Sequence, residues 1–209
     1  MNTVNTKQVD KKAYEFEHYS YESRWVSYYH QLREVFRRTP KSVLEIGLGD
    51  GVLGSFLRQN SDIEYKSMDI ADDLHPDIVG SVLSIPVADK SFDMVVAFEV
   101  LEHIPFDDFS KALGEMRRVS RKYVLLSLSH PGPVTKLNFK VPFVPEVKVA
   151  VKIPFAQKHV FNGEHYWEIG KRGFSASRIR SALKEYFSIE DEFVPYGNQY
   201  HRFFVLKIK

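Results

Sequence analysis

Glu45, Gly47, Gly49 and Gly51 alternate within residues 43–51 (VLEIGLGDG), and that spacing suits ligand binding by main chain. Glycine has no Cβ and tolerates positive φ, so the backbone can turn sharply and approach a ligand closely. Val43, Leu44 and Ile46 give the apolar run of a strand covered on both faces. Residues 52–59, apolar at Val52, Leu53, Phe56 and Leu57, read as a helix opening directly from the loop. Strand, glycine loop and helix N-terminus together form a site for a nucleotide-like ligand. Two readings compete. Gly49, Gly51 and Gly54 carry the G-x-G-x-x-G spacing of a dinucleotide loop, with Asp69 about 20 residues on, where a ribose-binding acid would stand. The alternative takes Glu45-x-Gly47-x-Gly49-x-Gly51 as the unit, with an acid beneath the loop. That acid would repel a pyrophosphate and suit a cationic ligand. A ligand-free turn with incidental glycines explains three alternating glycines poorly.

The E-x-G-x-G-x-G pattern resembles motif I of the class I S-adenosylmethionine-dependent methyltransferases, whose cofactor carries an ammonium and a sulfonium and no pyrophosphate. The phrase Ile85-Pro86, then Ser91-Phe92-Asp93, then MVVAFEVLEHIP resembles the small-molecule, domain type 11-like group. The resemblance covers about residues 40 to 130 and implies S-adenosyl-L-methionine as cofactor. It implies that Glu45, Gly47, Leu48, Gly49, Asp50 and Gly51 surround the methionine portion and that Asp69 and Ile70 meet the ribose. One carboxylate can accept from both ribose hydroxyls. It places Phe98 and Glu99 under the sulfonium. This chain has Ser81 where the group often carries an acid for the adenine amino group, so adenine contact falls to the Ser81 hydroxyl or the backbone around Val82.

Those residues need a scaffold. Residues 63–70 read as a second strand ending at Asp69, residues 77–82 as a short third, 94–98 as a fourth and 123–128 as a fifth. Leu101-Glu102-His103 is expected to open the helix that follows strand four. Phe109, Ala112, Leu113 and Met116 have helical spacing, with Asp107 and Asp108 in the first turn and Arg117 and Arg118 near the end, as the helix dipole favours. Ile179, Ala182, Leu183 and Tyr186 mark a last helix, capped near Ser175 or Ser177. Residues 189–194 and 203–208 read as two further strands around Gly197-Asn198. That ending resembles the hairpin closing the sheet in these methyltransferases. The implied fold is a Rossmann-like α/β three-layer sandwich, its seven-stranded sheet mostly parallel with an antiparallel C-terminal strand. At 209 residues the simplest organisation is one methyltransferase domain. Its parts are an N-terminal helical cap (1–39), a cofactor-binding core (40–129), an insertion or lid (130–172) and a C-terminal helix and β-hairpin (173–209).

Net charge is +2 and cysteine is absent. No nucleic-acid footprint, disulfide or thiolate metal site is expected, and no bound metal. No apolar run reaches the length of a membrane span and the N-terminus lacks a signal-peptide centre, so the cytoplasm is the expected compartment. Oligomeric state is open. Two segments outside the core should select the acceptor. In the first, Trp25, Tyr29, Leu32 and Phe36 share one helical face, expected to pack on the sheet. Tyr14, Tyr19 and Tyr21 before it read equally as a lid or as ordinary aromatic burial. In the insertion, Val149, Val151 and Ile153 alternate with Lys148 and Lys152, a half-exposed strand pattern. Its lysines read either as attraction for an acidic substrate at the site mouth or as protection of a sheet edge. His165-Tyr166-Trp167-Glu168-Ile169-Gly170 resembles phrases in methyltransferases associated with glycan biosynthesis. The expected activity is methyl transfer to a small-molecule acceptor, of a sugar or glycan-intermediate kind. If the acceptor is a hydroxyl it must lose a proton, and His103, His130 and His165 are the candidate bases. Two other functions compete: a cofactor-binding regulatory or scaffold subunit, with Trp167 or Tyr166 filling the acceptor pocket, and a nicotinamide-dependent oxidoreductase.

Overall fold

The computed structural model describes residues 11–154 and 157–209. The first ten residues of the expected N-terminal cap lie outside the described residues. The central sheet is built from β1 (Ser42–Ile46), β2 (Glu64–Asp69), β3 (Ile78–Val79), β4 (Phe92–Phe98), β5 (Ser120–Ser129), β8 (Phe187–Phe193) and β9 (His201–Ile208). Strands β6 (Val134–Phe139) and β7 (Val147–Lys152) form a separate two-stranded ribbon. The sheet order is β3-β2-β1-β4-β5-β9-β8. The first five strands pair in parallel, and β9 is antiparallel to both its neighbours. This is the Rossmann-like sheet with one antiparallel strand that the resemblance implied.

Period-2 alternation sorts each strand's side chains into two cores. Leu44 and Ile46 point to the layer of α4 (Phe106–Val119) and α5 (Ala176–Tyr186), where Phe109, Leu113, Met116, Ile179 and Leu183 are buried. Val43 and Tyr65 point to the opposite layer, against Val35 of α2 (Glu22–Phe36) and Leu53 and Leu57 of α3 (Val52–Asn60). Trp167 is wholly buried in the first core, with Phe106 and Phe109 edge-on at 5.1 Å and its indole N–H donating to the Ile104 carbonyl at 3.1 Å.

Two local expectations are corrected, and a third element takes an orientation that its pattern leaves open. Leu101–His103 forms a 3-10 turn, and α4 starts only at Phe106. Pro105 holds the preceding Ile104 extended (φ −111°, ψ 152°), because a proline ring disfavours the helical conformation one residue before it. In α2 the buried face is Ser27, Tyr28, Gln31, Glu34 and Val35, whereas Trp25 and Tyr29 are 50% and 61% exposed. Three of those four polar residues are paired through their side chains. Tyr28 donates to Asp50 at 2.5 Å, Ser27 meets His201 at 2.9 Å, and Glu34 binds Arg38 at 2.6 Å. The ribbon, finally, turns its apolar side outward.

Candidate functional site

Strand order reverses at β1, which is followed by β2 on one side and flanked by β4 on the other. Open parallel sheets bind ligands in the crevice beyond the carboxyl ends of such strands, and a cavity opens there. Gly47 leaves β1 with φ +81°, and a Cβ at that position would overlap Val100 Cγ2. Gly49 (φ +55°) and Gly51 (φ +72°) continue the left-handed turns, and Gly51 is the N-cap of α3. Asp69, at the end of β2, pins the loop: its carboxylate accepts from the Leu48 N–H at 2.8 Å and the Ala71 N–H at 2.9 Å. Gly47, Gly49, Asp69, Ile70, Ser81, Val82, Phe98, Glu99 and His103 all line this cavity. Leu48, Asp50 and Gly51 line an adjoining depression on the outer side of the loop. The Ser81 oxygen accepts from Leu83 N–H at 3.2 Å, which leaves its hydroxyl hydrogen to donate.

Glu45 lies elsewhere. It faces the α2–α3 layer with Val43 and Tyr65, its carboxyl takes a short hydrogen bond from the Tyr65 hydroxyl, and it lines neither space. On that face, two residues before Gly47, its carboxyl is engaged by Tyr65 instead. Burial pushes its pKa up to about 8, against the Tyr65 hydrogen bond and with Asp50 and Asp69 adding to the rise.

Beyond the loop the floor of the site is polar and buried. Glu99 has φ +56° and receives the Ser129 hydroxyl at 3.0 Å, while its other oxygen is buried without a hydrogen-bond partner. Glu102, fully buried, takes the Ser129 N–H at 2.9 Å and hydroxyl at 2.7 Å on one oxygen. Burial first, then Glu102, raises the Glu99 pKa well above the usual carboxylate range. His201 Nε2 lies 3.3 Å from Glu99. Burial, with Arg24 nearby, holds that histidine neutral, its pKa lowered to about 3.

The three candidate histidines separate. His103 lines the cavity, and its Nδ1 is 3.2 Å from the Glu164 carbonyl. A carbonyl only accepts, so Nδ1 carries the hydrogen and Nε2 is the basic nitrogen. Burial lowers its pKa, so it is neutral at neutral pH. His165 stands edge-on behind it, ring centroids 4.9 Å apart, with Nδ1 3.1 Å from Glu168. Burial opposes its charge, but the Glu168 hydrogen bond and the surrounding carboxylates prevail and raise its pKa. Glu168 also accepts from the Tyr200 hydroxyl at 2.9 Å. His130 is a correction. Its Nδ1 accepts from Arg202 Nε at 3.0 Å, its ring lies outside the cavity lining, and burial beside Arg202 and Lys152 lowers its pKa to about 3. A nitrogen whose lone pair is already engaged by a guanidinium cannot take up another proton.

Tyr14 and Tyr19 also line the cavity, edge-on to each other at 4.9 Å and close to Gly49. Arg24 stacks 3.9 Å over the Tyr19 ring and donates to its hydroxyl at 3.0 Å. Burial pushes the Tyr14 hydroxyl up to about 12, with Asp69 adding to the rise. Sequence reasoning did not single out Gly80 or Val100, both at the cavity wall. A Cβ on Gly80 would sit 2.8 Å from Pro86 Cδ, and Ile85-Pro86 was the only signal of that approach. No lysine or arginine is among the described residues lining the cavity; the lysine excess lies on the ribbon.

Sheet order, glycine loop and crevice define the fold of class I S-adenosylmethionine-dependent methyltransferases. Residues 44–127 match the family Methyltransf_11, "Methyltransferase domain". Over that span the sequence is similar to that domain, and with the fold this supports methyl transfer as activity and S-adenosylmethionine as cofactor. No protein of curated function matches the chain. Solved structures agree on the fold. An S-adenosylmethionine-dependent methyltransferase from Clostridium acetobutylicum is 10% identical, with 94% of this chain and 96% of that one covered and a TM-score of 0.61. The 1,6-didemethyltoxoflavin-N1-methyltransferase of Burkholderia thailandensis, with bound 1,6-didemethyltoxoflavin and S-adenosylhomocysteine, is 14% identical over 90% and 86%, TM-score 0.56. The magnesium protoporphyrin IX methyltransferase of Synechocystis PCC 6803, with bound S-adenosylhomocysteine, is 14% identical over 90% and 84%, TM-score 0.55.

The residues present fit the cofactor. The left-handed glycines leave a main-chain cradle that a Cβ at Gly47 would obstruct. Asp69 keeps acceptor capacity beside its two backbone bonds, and Glu99 has a buried oxygen without a hydrogen-bond partner at the cavity wall.

Proposed function

We propose that the protein methylates a hydroxyl of a small, uncharged acceptor of the sugar or glycan-intermediate class, with His103 as the base. The observation that carries this reading is a neutral imidazole at the cavity wall whose basic nitrogen is fixed by the Glu164 carbonyl. Bound S-adenosylmethionine supplies an already activated methyl group. The chain's own work is to orient and dry the site and to move one proton. Gly47, Gly49 and Asp50 hold the methionine portion, Asp69 and Ile70 the ribose, Ser81 and Val82 the adenine, and Phe98 and Glu99 the region of the sulfonium. Tyr14 and Tyr19 close the cavity above Gly49 and keep water out. His103 Nε2 accepts the hydroxyl proton, and the carboxylates of Glu102 and Glu164 favour the imidazolium that results. His165, held by Glu168, which accepts from Tyr200 in turn, fixes the orientation of the His103 ring. With the Asp69 carboxylate and no described lysine or arginine lining the cavity, an uncharged acceptor is favoured over an acidic one.

The alternative of a non-catalytic cofactor-binding subunit called for Trp167 or Tyr166 in the acceptor pocket. Trp167 is core, and Tyr166 packs on Phe161 at 4.7 Å, away from the cavity lining. Calorimetric titration should show binding of S-adenosylmethionine and S-adenosylhomocysteine and none of NAD. In a screen of sugar and glycan-precursor hydroxyls, His103→Ala should lower kcat on a positive acceptor about 10²–10⁴-fold with S-adenosylhomocysteine affinity preserved. An unchanged kcat would remove the base assignment, and NAD binding in place of the sulfur ligands would remove the whole reading.

A further inference from the structure

The ribbon of β6 and β7 is amphipathic with its apolar side turned to solvent. Thr135 faces Val151, Leu137 faces Val149 and Phe139 faces Val147 across the antiparallel register, so these six share one side. All are exposed, Leu137 by 62% and Phe139 by 64%. At the tip Phe143 is fully exposed and Val144 is half-exposed. The opposite side carries Lys136, Lys148 and Lys152. Lys152 bolts the ribbon to the body, its ammonium donating to the carbonyls of His130 at 2.5 Å, Gly132 at 3.1 Å and Gln199 at 3.2 Å. The residue that anchors the ribbon is therefore a lysine, and the hydrophobic side chains are the ones left outside.

A contiguous exposed apolar face of this kind marks an interaction surface, and its charge indicates what covers it. Between residues 131 and 160 the acids are limited to Glu146, which pairs with Lys148 at 2.9 Å. Lys136, Lys140 and Lys158 are exposed, Lys136 over the Tyr196 ring. Two copies packed through this face would cover the apolar side chains and offer the lysines, which lie on the opposite side, no counter-charge. A lipid surface with phosphate headgroups offers hydrocarbon to the phenylalanines and anions to the lysines together. We propose that the β6–β7 ribbon docks the protein on an anionic lipid surface, with Leu137, Phe139 and Phe143 entering the headgroup–acyl boundary. The ribbon leaves the body just after Ser129, whose hydroxyl binds Glu99 and Glu102. Docking therefore places the carboxyl edge of the sheet near the lipid. The inference does not depend on the acceptor or base proposed above.

Co-sedimentation of the full chain with vesicles tests this. With vesicles of equal parts phosphatidylcholine and phosphatidylglycerol the protein should pellet, and raising the salt should release it. With phosphatidylcholine alone it should stay in solution. Phe143→Asp and the double variant Phe139→Asp with Phe143→Asp should stay in solution with either vesicle, while their circular dichroism melts match the parent. Lys136→Gln should lower partitioning about fivefold, the factor for one cation near an anionic surface. Failure of the parent to pellet with the phosphatidylglycerol vesicles would overturn the proposal, as would pelleting of the double variant like the parent. A dimer seen by light scattering, lost in Phe143→Asp and accompanied by no vesicle binding, would assign the face to a second copy and overturn it as well.

Discussion

Replacing Glu45 by glutamine should stabilise the ligand-free protein at neutral and alkaline pH and leave it nearly unchanged at acid pH. Glu45 is 5% exposed, inside the layer between β1 and α3, with the Tyr65 hydroxyl as its hydrogen-bonding side chain. Its pKa is near 4.5 in the unfolded chain and raised by burial to about 8 in the fold. Below 4.5 both states hold the proton and the group is neutral at no cost. Across the window up to about 8 the folded state must take up a proton that the unfolded state lacks, so stability falls as pH rises, and beyond it the loss is complete. Each decade of proton activity is worth about 1.36 kcal/mol. By neutral pH the loss is on the order of 3 kcal/mol, a large share of the roughly 5–15 kcal/mol that holds a domain folded. Glutamine is neutral, nearly isosteric, and its amide oxygen still accepts from Tyr65. Urea unfolding of both proteins at about pH 5 and about pH 8 should show the gap widening in favour of the variant by about 3 kcal/mol. A gap that does not change with pH would refute a neutral Glu45 in the fold. A variant weaker at both values would mean that the Tyr65 bond is made to a carboxylate.

Two further substitutions probe the loop from either side. Asp69→Ala removes the acceptor for the Leu48 and Ala71 N–H groups and the proposed ribose partner. S-adenosylhomocysteine binding should weaken by about 1–3 kcal/mol, and unchanged affinity by calorimetry would count against the assignment. Gly54→Ala would place a methyl 2.5 Å from Tyr65 Cζ. The gain in helix propensity is about 1 kcal/mol; overpacking costs about 1–3 kcal/mol, and loosening the Tyr65–Glu45 hydrogen bond about as much again. A net loss of about 1–4 kcal/mol in urea unfolding is expected, and a variant as stable as the parent would show that Tyr65 moves aside freely.

The core strands and the glycine loop were legible because they depend on local pattern. A parallel strand covered on both faces must be a near-continuous apolar run, as Met94, Val95, Val96 and Ala97 are, and a backbone turning left-handed three times in five residues calls for glycine. The segments read wrongly are those whose burial is decided by partners far along the chain. Periodicity chose the Trp25–Tyr29–Phe36 face of α2, since those are its large apolar residues. The face that packs carries Ser27 and Tyr28, whose partners His201 and Asp50 are 174 and 22 residues distant. No window on one helix contains that information. The ribbon's orientation was open for the same reason: its alternation is legible, but which side meets the body is set by Lys152 reaching three carbonyls.

The histidines make the point for the site itself. In the sequence, His103, His130 and His165 are equal candidates, two near strand ends and one in an aromatic phrase. What separates them is the group opposite each ring. A guanidinium against His130 Nδ1 occupies the lone pair and excludes the cation, so position at the sheet's carboxyl edge counts for nothing there. A carboxylate against His165 does the reverse, and sets it behind His103 as an oriented, more basic ring. Burial leaves His103 neutral, and the main-chain carbonyl opposite its Nδ1 chooses the tautomer. Of the three candidate histidines, that one lines the cavity that Gly47, Asp69 and Glu99 also line. On the proposed reading, the base in this chain depends less on the residue at the strand end than on residues 164–168 of the insertion, which supply the partners of both His103 and His165. Changes confined to that short segment would be expected to alter the pH dependence of turnover while leaving the cofactor loop, and affinity for S-adenosylhomocysteine, as they are.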